Sequence, residues 1–461
     1  MFGSPETVGR QGGSALVGPP EPLVRTLCAF VGKMARKGEI VRERHRKQGG
    51  RSMGAAFGPS RAIAVFLAAA MALVGISLVG TPASSEGAVP FQFSVAGDFG
   101  SWSGMRESLD QLNASGSDFA IALGDLSYGG NTGYANTTEE AWCAKFHKFF
   151  PKIEIIAGNH DTGDTIPGEG DINQFVAYCP FNLKTSVDGV YGKQYAFDFP
   201  RNNPLARFIL ISPDLIFRVD DGEHYSYDVG TPRYDWTKGQ IEDAKAKGIP
   251  WVIVGFHKNC IGAGEHHCET GTDILNLLIQ EKVDLILNAH EHNYERSHQL
   301  AFTDSCPQGI QEHVFIPGCI VHNGTDAKYQ RGAGSVLVIQ GTGGREIDTF
   351  NESDPTAGYF AAYMGVDTIG AANGVVTYNV YPDRIEERTS FNGTYADSFT
   401  IGEFTPGLFE RVLQVLPIAA PIVVGLIGFG VGGFLVWRNR QATPRSRTAK
   451  PRLPRVRDFR M

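Results

Sequence analysis

Basic residues are scarce between positions 62 and 437. The 461-residue chain holds 42 Lys/Arg and 49 Asp/Glu, yet eleven basic residues fall in 1–61 and nine in 438–461, against four and one acidic ones. The body between keeps 22 basic and 44 acidic residues, a net charge of −22 concealed by an overall −7. So acidic a surface repels phosphate backbones, which argues against nucleic acid as a partner. Cysteine is sparse as well: Cys28 near the start, then Cys143, Cys179, Cys260, Cys268, Cys306 and Cys319 in the body. An even count there suggests disulfides formed in an oxidising compartment, with fifteen connectivities open. Proximity in sequence favours Cys260 with Cys268 and Cys306 with Cys319. Internal repeats and low-complexity linkers are lacking, so one domain is expected over 90–402.

Charge is missing altogether from two apolar stretches. AIAVFLAAAMALVGISLVG, 62–80, follows Arg61 and precedes TPASS, which reads as a signal peptide cleaved after Ala83 or, at this length, an uncleaved anchor over 62–83. Signal peptides seldom begin so far into a chain. Met53 is therefore the expected natural start, with 1–61 a basic extension absent from the mature protein. VLPIAAPIVVGLIGFGVGGFLVW, 415–437, runs 23 residues without charge, long enough for a hydrocarbon layer of about 30 Å. A transmembrane helix is expected there; a buried core helix is the alternative, disfavoured by the missing polar face. Arg438, Arg440, Arg445, Arg447 and Lys450 follow, which puts the 438–461 tail in the cytoplasm and the body outside the cell membrane. N-x-S/T triplets at Asn113, Asn136, Asn323, Asn351 and Asn392 are compatible with an exported surface.

Hydrophobic residues make up 42% of the chain and charged ones 20%, a composition that supports a packed core. From residue 90, VPFQFSVAGD, DFAIALGD, KIEIIAGNHD, ARFILISPD, PWVIVGFHKN and VDLILNAHEHN read as strands. EEAWCAKFHKFF, WTKGQIEDAKAKG and TDILNLLIQEK have helical spacing, and SVLVIQGTGG and GVVTYNVYPDRIEERTSF read as later strands. This alternation predicts an α/β fold with largely buried sheets. Five of the six early strands end in metal-ligand types: Asp98, Asp125, Asn159, His257, and the pair His290 and His292. Ligand sites in open α/β sheets lie at the carboxyl ends of strands, so these side chains can converge. A lone strand-end Asp is more often a cap or turn former. Five such ends together point to a metal centre. Tyr128, three residues after Asp125, reads either as a core aromatic or as a further ligand.

GDFG (97–100), GDLSY (124–128), GNHD (158–161), GFH (255–257) and AHEHNYER (289–296) resemble, in order and spacing, the five blocks of the metallophosphoesterase (calcineurin-like) family. Tyr128 narrows the resemblance to the purple acid phosphatase branch. GDFG alone also mimics a kinase magnesium motif, but no kinase lysine motif or HRD loop accompanies it. The resemblance implies the family's four-layer α/β/β/α sandwich. It also implies a ferric site from Asp98, Asp125, Tyr128 and His292, and a site for Zn(II), Mn(II) or Fe(II) from Asp125, Asn159, His257 and His290, with Asp125 bridging. Carboxylates and a phenolate suit a trivalent ion, imidazoles and an amide oxygen a divalent one. Proton donors to the leaving group are sought among His160, His266 and His267. The last two lie at the family spacing beyond His257, and His267 and His160 are preferred, with His266 supporting.

The chain departs from the pattern at Ala289, where relatives have glycine, and at Asp161, where plant-type relatives have glutamate; Asp161 is expected to stabilise its loop. Glu295 and Arg296 read as a structural pair. The β domain that large plant-type members carry before the first block is not expected. The function implied is an outward-facing, membrane-anchored acid phosphatase acting on phosphomonoesters by hydroxide attack. A phosphodiesterase or nucleotide pyrophosphohydrolase on the same dimetal centre is the alternative, and a catalytically inactive surface binding protein a third. Loops 162–175 and 216–234 are where substrate choice is expected to lie.

Overall fold

The six early apolar runs supply the strands Phe91–Ala96, Phe119–Leu123, Ile153–Ile156, Ala206–Leu210, Trp251–Gly255 and Leu285–Asn288. In the computed structural model, which describes residues 89–100, 103–129, 138–163 and 170–404, they divide between two sheets. The first sheet has seven strands, ordered Lys328–Gln330, Ser398–Gly402, Arg384–Phe391, Gly374–Val380, Phe91–Ala96, Phe119–Leu123, Ile153–Ile156. The second has eight, ordered Phe360–Met364, Tyr294–Ser297, Val336–Gln340, Leu285–Asn288, Trp251–Gly255, Ala206–Leu210, Gln194–Phe199, Val187–Val190. Within each sheet the strands that end in the motifs run parallel to one another, so their carboxyl ends share one edge, although Phe91–Ala96 is also antiparallel to Gly374–Val380.

Alternate residues of each strand enter different cores. Phe93, Ile121, Leu210, Ile253, Leu287 and Val338 meet in a cluster drawn from both sheets, while Ala120, Ile209, Val254, Ile286 and Leu337 join the cluster that contains the helices. The two-residue period of a strand makes this division possible. Phe208 anchors the inter-sheet core, edge-on to Phe93 at 5.0 Å and stacked on Phe197 at 4.9 Å. Burying each such ring is worth about 1.5–3 kcal/mol.

Among the described residues five α-helices connect the strands: α1 (Ser103–Ser115), α2 (Glu139–Phe149), α3 (Ile172–Tyr178), α4 (Pro232–Ala246) and α5 (Thr272–Gln280). The Thr138 hydroxyl caps α2 by accepting from the Ala141 amide, and Glu139 and Glu140 complement the helix dipole. Thr231 caps α4, whose first turn holds Pro232. α1 was not among the sequence expectations, because only Met105, Leu109 and Leu112 form its large apolar stripe.

All six body cysteines are paired. Cys260–Cys268 and Cys306–Cys319 join as proximity suggested, and Cys143–Cys179 ties α2 to the end of α3. The described residues lie in one compact unit, Pro82–Val415. The expectations for 1–61, 62–83, 415–437 and 438–461, and those on Cys28 and Asn136, fall outside the described residues. Among the described residues no helix is long and apolar enough to cross a membrane.

Candidate metal centre

Each motif leaves its strand through a sharp backbone turn. Asp98, Asp125, Tyr128 and His290 all have positive φ, at 60°, 50°, 55° and 72°. Non-glycine residues held in that region cost about 1–3 kcal/mol each and persist where surrounding structure imposes them. The preceding glycines give the room. A Cβ on Gly158 would lie 2.1 Å from Asp125 Oδ1, and one on Gly97 would lie 2.3 Å from the methyl of Ala289. Ala289 therefore fits because Gly97, facing it, has no side chain.

The turns bring the sequence-singled residues to one place. Asp98 and Asp125 are buried, and the Tyr128 hydroxyl donates to Asp98 Oδ1 at 2.9 Å. His292 Nε2 lies 3.2 Å from the Tyr128 oxygen and 3.5 Å from Asp98 Oδ1. His257 Nε2 is 3.3 Å from Asp125 Oδ1 and 3.2 Å from His290 Nδ1. Asp125, His257 and His290 offer donor atoms close enough together to share one ion. Asn159 stands between Gly158, which abuts Asp125, and His160, whose amide donates to Asp125 Oδ1 at 2.9 Å. The Asn159 Oδ1 atom is buried without a hydrogen-bond partner. A buried orphan oxygen of this kind fits a cation.

The three imidazoles share one arrangement. His257 donates from Nδ1 to the Leu123 carbonyl at 2.7 Å, His290 Nε2 faces Glu269 Oε1 at 3.2 Å, and His292 Nδ1 faces Asp348 Oδ2 at 3.1 Å. With the outer nitrogen of each ring held by an oxygen, the inner nitrogens of His257 and His292 face Asp125 and Asp98, and that of His290 faces His257 Nε2. This is how metal-ligating histidines are oriented. The donor set, two carboxylates, a phenol, an amide oxygen and three imidazoles, fits a pair of ions of differing hardness.

Sequence reasoning missed Glu269 and Asp348. Glu269 also pairs with Lys258 at 2.8 Å. The remaining motif residues brace the loops: Asp161 accepts the amides of Gly158 and Leu126, and Glu291 those of Glu265 and His266. Glu295 accepts the Ala263 amide, and Arg296 pairs with Asp397 at 2.6 Å. His266 stacks on His290 with ring centroids 3.8 Å apart and reaches Glu269 at 3.4 Å. His267 turns elsewhere: 61% exposed, it faces Asp354 at 3.9 Å and His313 edge-on. His160 lies on the site's other side, its ring 4.6 Å from that of Tyr128.

In the metal-free protein the charges are strongly interdependent. Burial works to raise the Asp98 and Asp125 carboxyls, but neighbouring imidazoles, His257 foremost, outweigh it and hold both below the usual range. Burial works to lower His257, yet Asp125 and Asp98 push it up to about 9. His292 rises to about 10, as Asp348 and Asp98 overcome its burial. His290, mainly through burial, falls to about 4. Tyr128 is raised by burial and by both aspartates. Protons on His257, His292 and Tyr128 must therefore leave before those atoms can ligate, so metal loading at pH 7 is expected to release roughly three protons per chain. Apparent affinity should rise with pH from 7 to 9. Titration calorimetry in buffers of different ionisation enthalpy checks this, and proton-neutral uptake would contradict it.

Residues 91–294 match the family model described as calcineurin-like phosphoesterase. Among curated proteins, the chain is 25% identical to Fe(3+)-Zn(2+) purple acid phosphatase 12 of Arabidopsis thaliana, over 48% of this chain and 46% of that protein. It is 25% identical to purple acid phosphatase 21 of the same plant, over 45% of each chain. The chain thus spans about half the length of the curated relatives it matches. A solved purple acid phosphatase, PPD1 from yellow lupin (Lupinus luteus) seeds, aligns over 68% of this chain and 54% of its own, at 16% identity and a TM-score of 0.46. Residues 91–294 therefore resemble a calcineurin-like phosphoesterase domain, and the curated relatives matched are purple acid phosphatases.

Proposed function

We propose that the chain is a binuclear metallophosphatase hydrolysing phosphomonoesters, with Fe(III) held by Asp98, Asp125, Tyr128 and His292, and Zn(II), Mn(II) or Fe(II) by Asp125, Asn159, His257 and His290. The observation that carries this reading is the common orientation of His257, His290 and His292, each anchored by an oxygen on its outer nitrogen, with the inner nitrogens of His257 and His292 facing Asp125 and Asp98 and that of His290 facing His257. The name of one relative, Fe(3+)-Zn(2+) purple acid phosphatase 12, supports the choice of metals. Two sheets with alternate residues in separate cores support the four-layer sandwich.

The chemistry such a pair supplies when bound is Lewis acidity toward phosphoryl oxygens and activation of a water at near-neutral pH. The chain's own groups do the rest. Asp125 would be the carboxylate shared by both ions. His266, raised above an ordinary imidazole by its hydrogen bond to Glu269 against the pull of burial, holds a proton for the leaving alcohol oxygen. Its stacking on His290 keeps it beside the centre, and the Cys260–Cys268 disulfide closes the loop that carries it. His160, with its amide on Asp125, is the second donor. His267, half-turned to Asp354, fits a contact to the alcohol portion of a substrate. The loops expected to choose the substrate meet each other, the Arg218 amide donating to the Thr162 carbonyl at 3.0 Å.

The same reading places the body outside the cell membrane, anchored by 415–437. The charge-free run with its basic flank supports this, as do three disulfides in one domain. The deciding experiment compares a mono- and a diester of one chromogenic alcohol, with metal analysis of the same preparation. Monoester turnover at least about tenfold faster, with close to two ions per chain, is expected; a clear preference for the diester would favour the phosphodiesterase reading, and a metal-free, inert protein the binding-protein reading.

A further inference from the structure

Tyr128 has a cationic neighbour that none of the five motifs contains. The guanidinium carbon of Arg345 lies 4.7 Å from the centroid of the Tyr128 ring. Its position is built into the backbone. The GTGGREID segment, 341–348, leaves the strand Val336–Gln340 at the edge where the site lies, and doubles back over the GDFG turn. The Gly343 amide donates to the Gly97 carbonyl at 2.8 Å, and the Arg345 amide to the Asp98 carbonyl at 3.0 Å. A Cβ at Gly343 would stand 2.4 Å from the Gly97 oxygen, and one at Gly344 2.2 Å from the Phe99 oxygen. Only glycines let the two turns lie so close. The residue after them is thereby fixed against the backbone of Asp98, and its half-buried side chain extends over the phenol whose hydroxyl faces Asp98 and His292.

We propose that Arg345 is a positioning residue acting through Tyr128: its guanidinium, lying over the ring, sets the energy needed to move charge from that ring to a ferric ion. The proposal rests on the ferric reading of the Tyr128 site given above. A cation near an aromatic ring is attracted by its electrons, and more so when the ring carries a full negative charge. Moving an electron from phenolate to iron leaves the ring less negative, so a fixed positive charge above it opposes the transfer. Removing that charge lowers the energy of the transfer and moves the visible band toward longer wavelength.

The test uses the full chain purified with its iron and compares visible spectra, iron content and circular dichroism of the parent with Arg345→Met, Arg345→Gln, Arg345→Lys and Tyr128→Phe. Both neutral variants are expected to shift the band by roughly 10 to 40 nm to longer wavelength at unchanged iron per chain, while Arg345→Lys stays close to the parent. Tyr128→Phe should abolish the band. A band lost in Tyr128→Phe but unmoved in the neutral variants overturns the role of Arg345 alone. Loss of iron from a folded neutral variant also counts against it, since a residue acting through ring charge leaves the donor set intact. A band that survives Tyr128→Phe, or that is absent from the iron-loaded parent, overturns the ferric reading and this proposal with it.

Discussion

Asp125→Asn is expected to lower phosphomonoester turnover by roughly 10³- to 10⁴-fold and to leave less than one tightly held ion per chain. Lewis-acid stabilisation of phosphoryl transfer by bound ions is worth several kcal/mol, and each 1.36 kcal/mol is a factor of ten in rate. Asp125 is the one carboxylate that both proposed sites use. It is 2% exposed, lies 3.3 Å from His257 Nε2 and accepts the His160 amide. A carboxamide of the same shape can still accept from that amide, so the metal-free fold should survive. What it removes is the negative charge that draws cations to both sites and holds the His257 imidazole near them. Steady-state kinetics and metal analysis on one preparation check the expectation. Parent-like turnover with two ions bound would show that Asp125 does not bridge.

Complete reduction of the three disulfides is the second large effect. By the loop-entropy relation, closing loops of 36, 13 and 8 residues stabilises a domain by roughly 4, 3 and 2.5 kcal/mol. Together that is roughly 9 kcal/mol, a large share of the 5–15 kcal/mol typical of a folded domain. The reduced protein is expected to be largely unfolded at 37 °C. Cys143–Cys179 contributes the largest share because it closes the longest loop, joining α2 to α3 beside the buried Trp142, Phe146 and Phe175. A Cys143→Ser, Cys179→Ser double variant should melt roughly 6 °C lower. Fluorescence of the buried Trp142 and Trp251 reports the transition, and a melt unchanged after full reduction would refute the expectation.

Cys260–Cys268 should behave differently. Its loop is short, but it contains His266, whose ring stacks on His290. Its loss is therefore expected to affect leaving-group protonation more than melting.

The early strands were legible because a strand buried on both faces writes itself as a continuous β-branched run, as in FAIAL and WVIVG. The ligand types were legible at their ends for a related reason: a buried ionisable group needs a partner, and five such groups following five buried strands need one in common. α1 was harder to see, since three apolar residues suffice where a helix covers only part of a sheet. The pairing of Cys143 with Cys179 was likewise open in a sequence that permitted fifteen connectivities.

Sequence by itself determined which side chains could bind cations, and that parallel strands would deliver them to one edge, because both depend on local pattern and on a general rule of α/β sheets. Only the tertiary structure decided what stands behind them. Glu269 on His290, Asp348 on His292 and Arg345 over Tyr128 belong to loops whose paths are set by packing against other loops. The different settings of His266 and His267, adjacent in sequence, are of the same kind: one ring stacks on His290 and the other faces Asp354. Such contacts arise from turns that close over one another through glycines at Gly97, Gly158 and Gly343, and no periodicity along the chain encodes where two turns will meet.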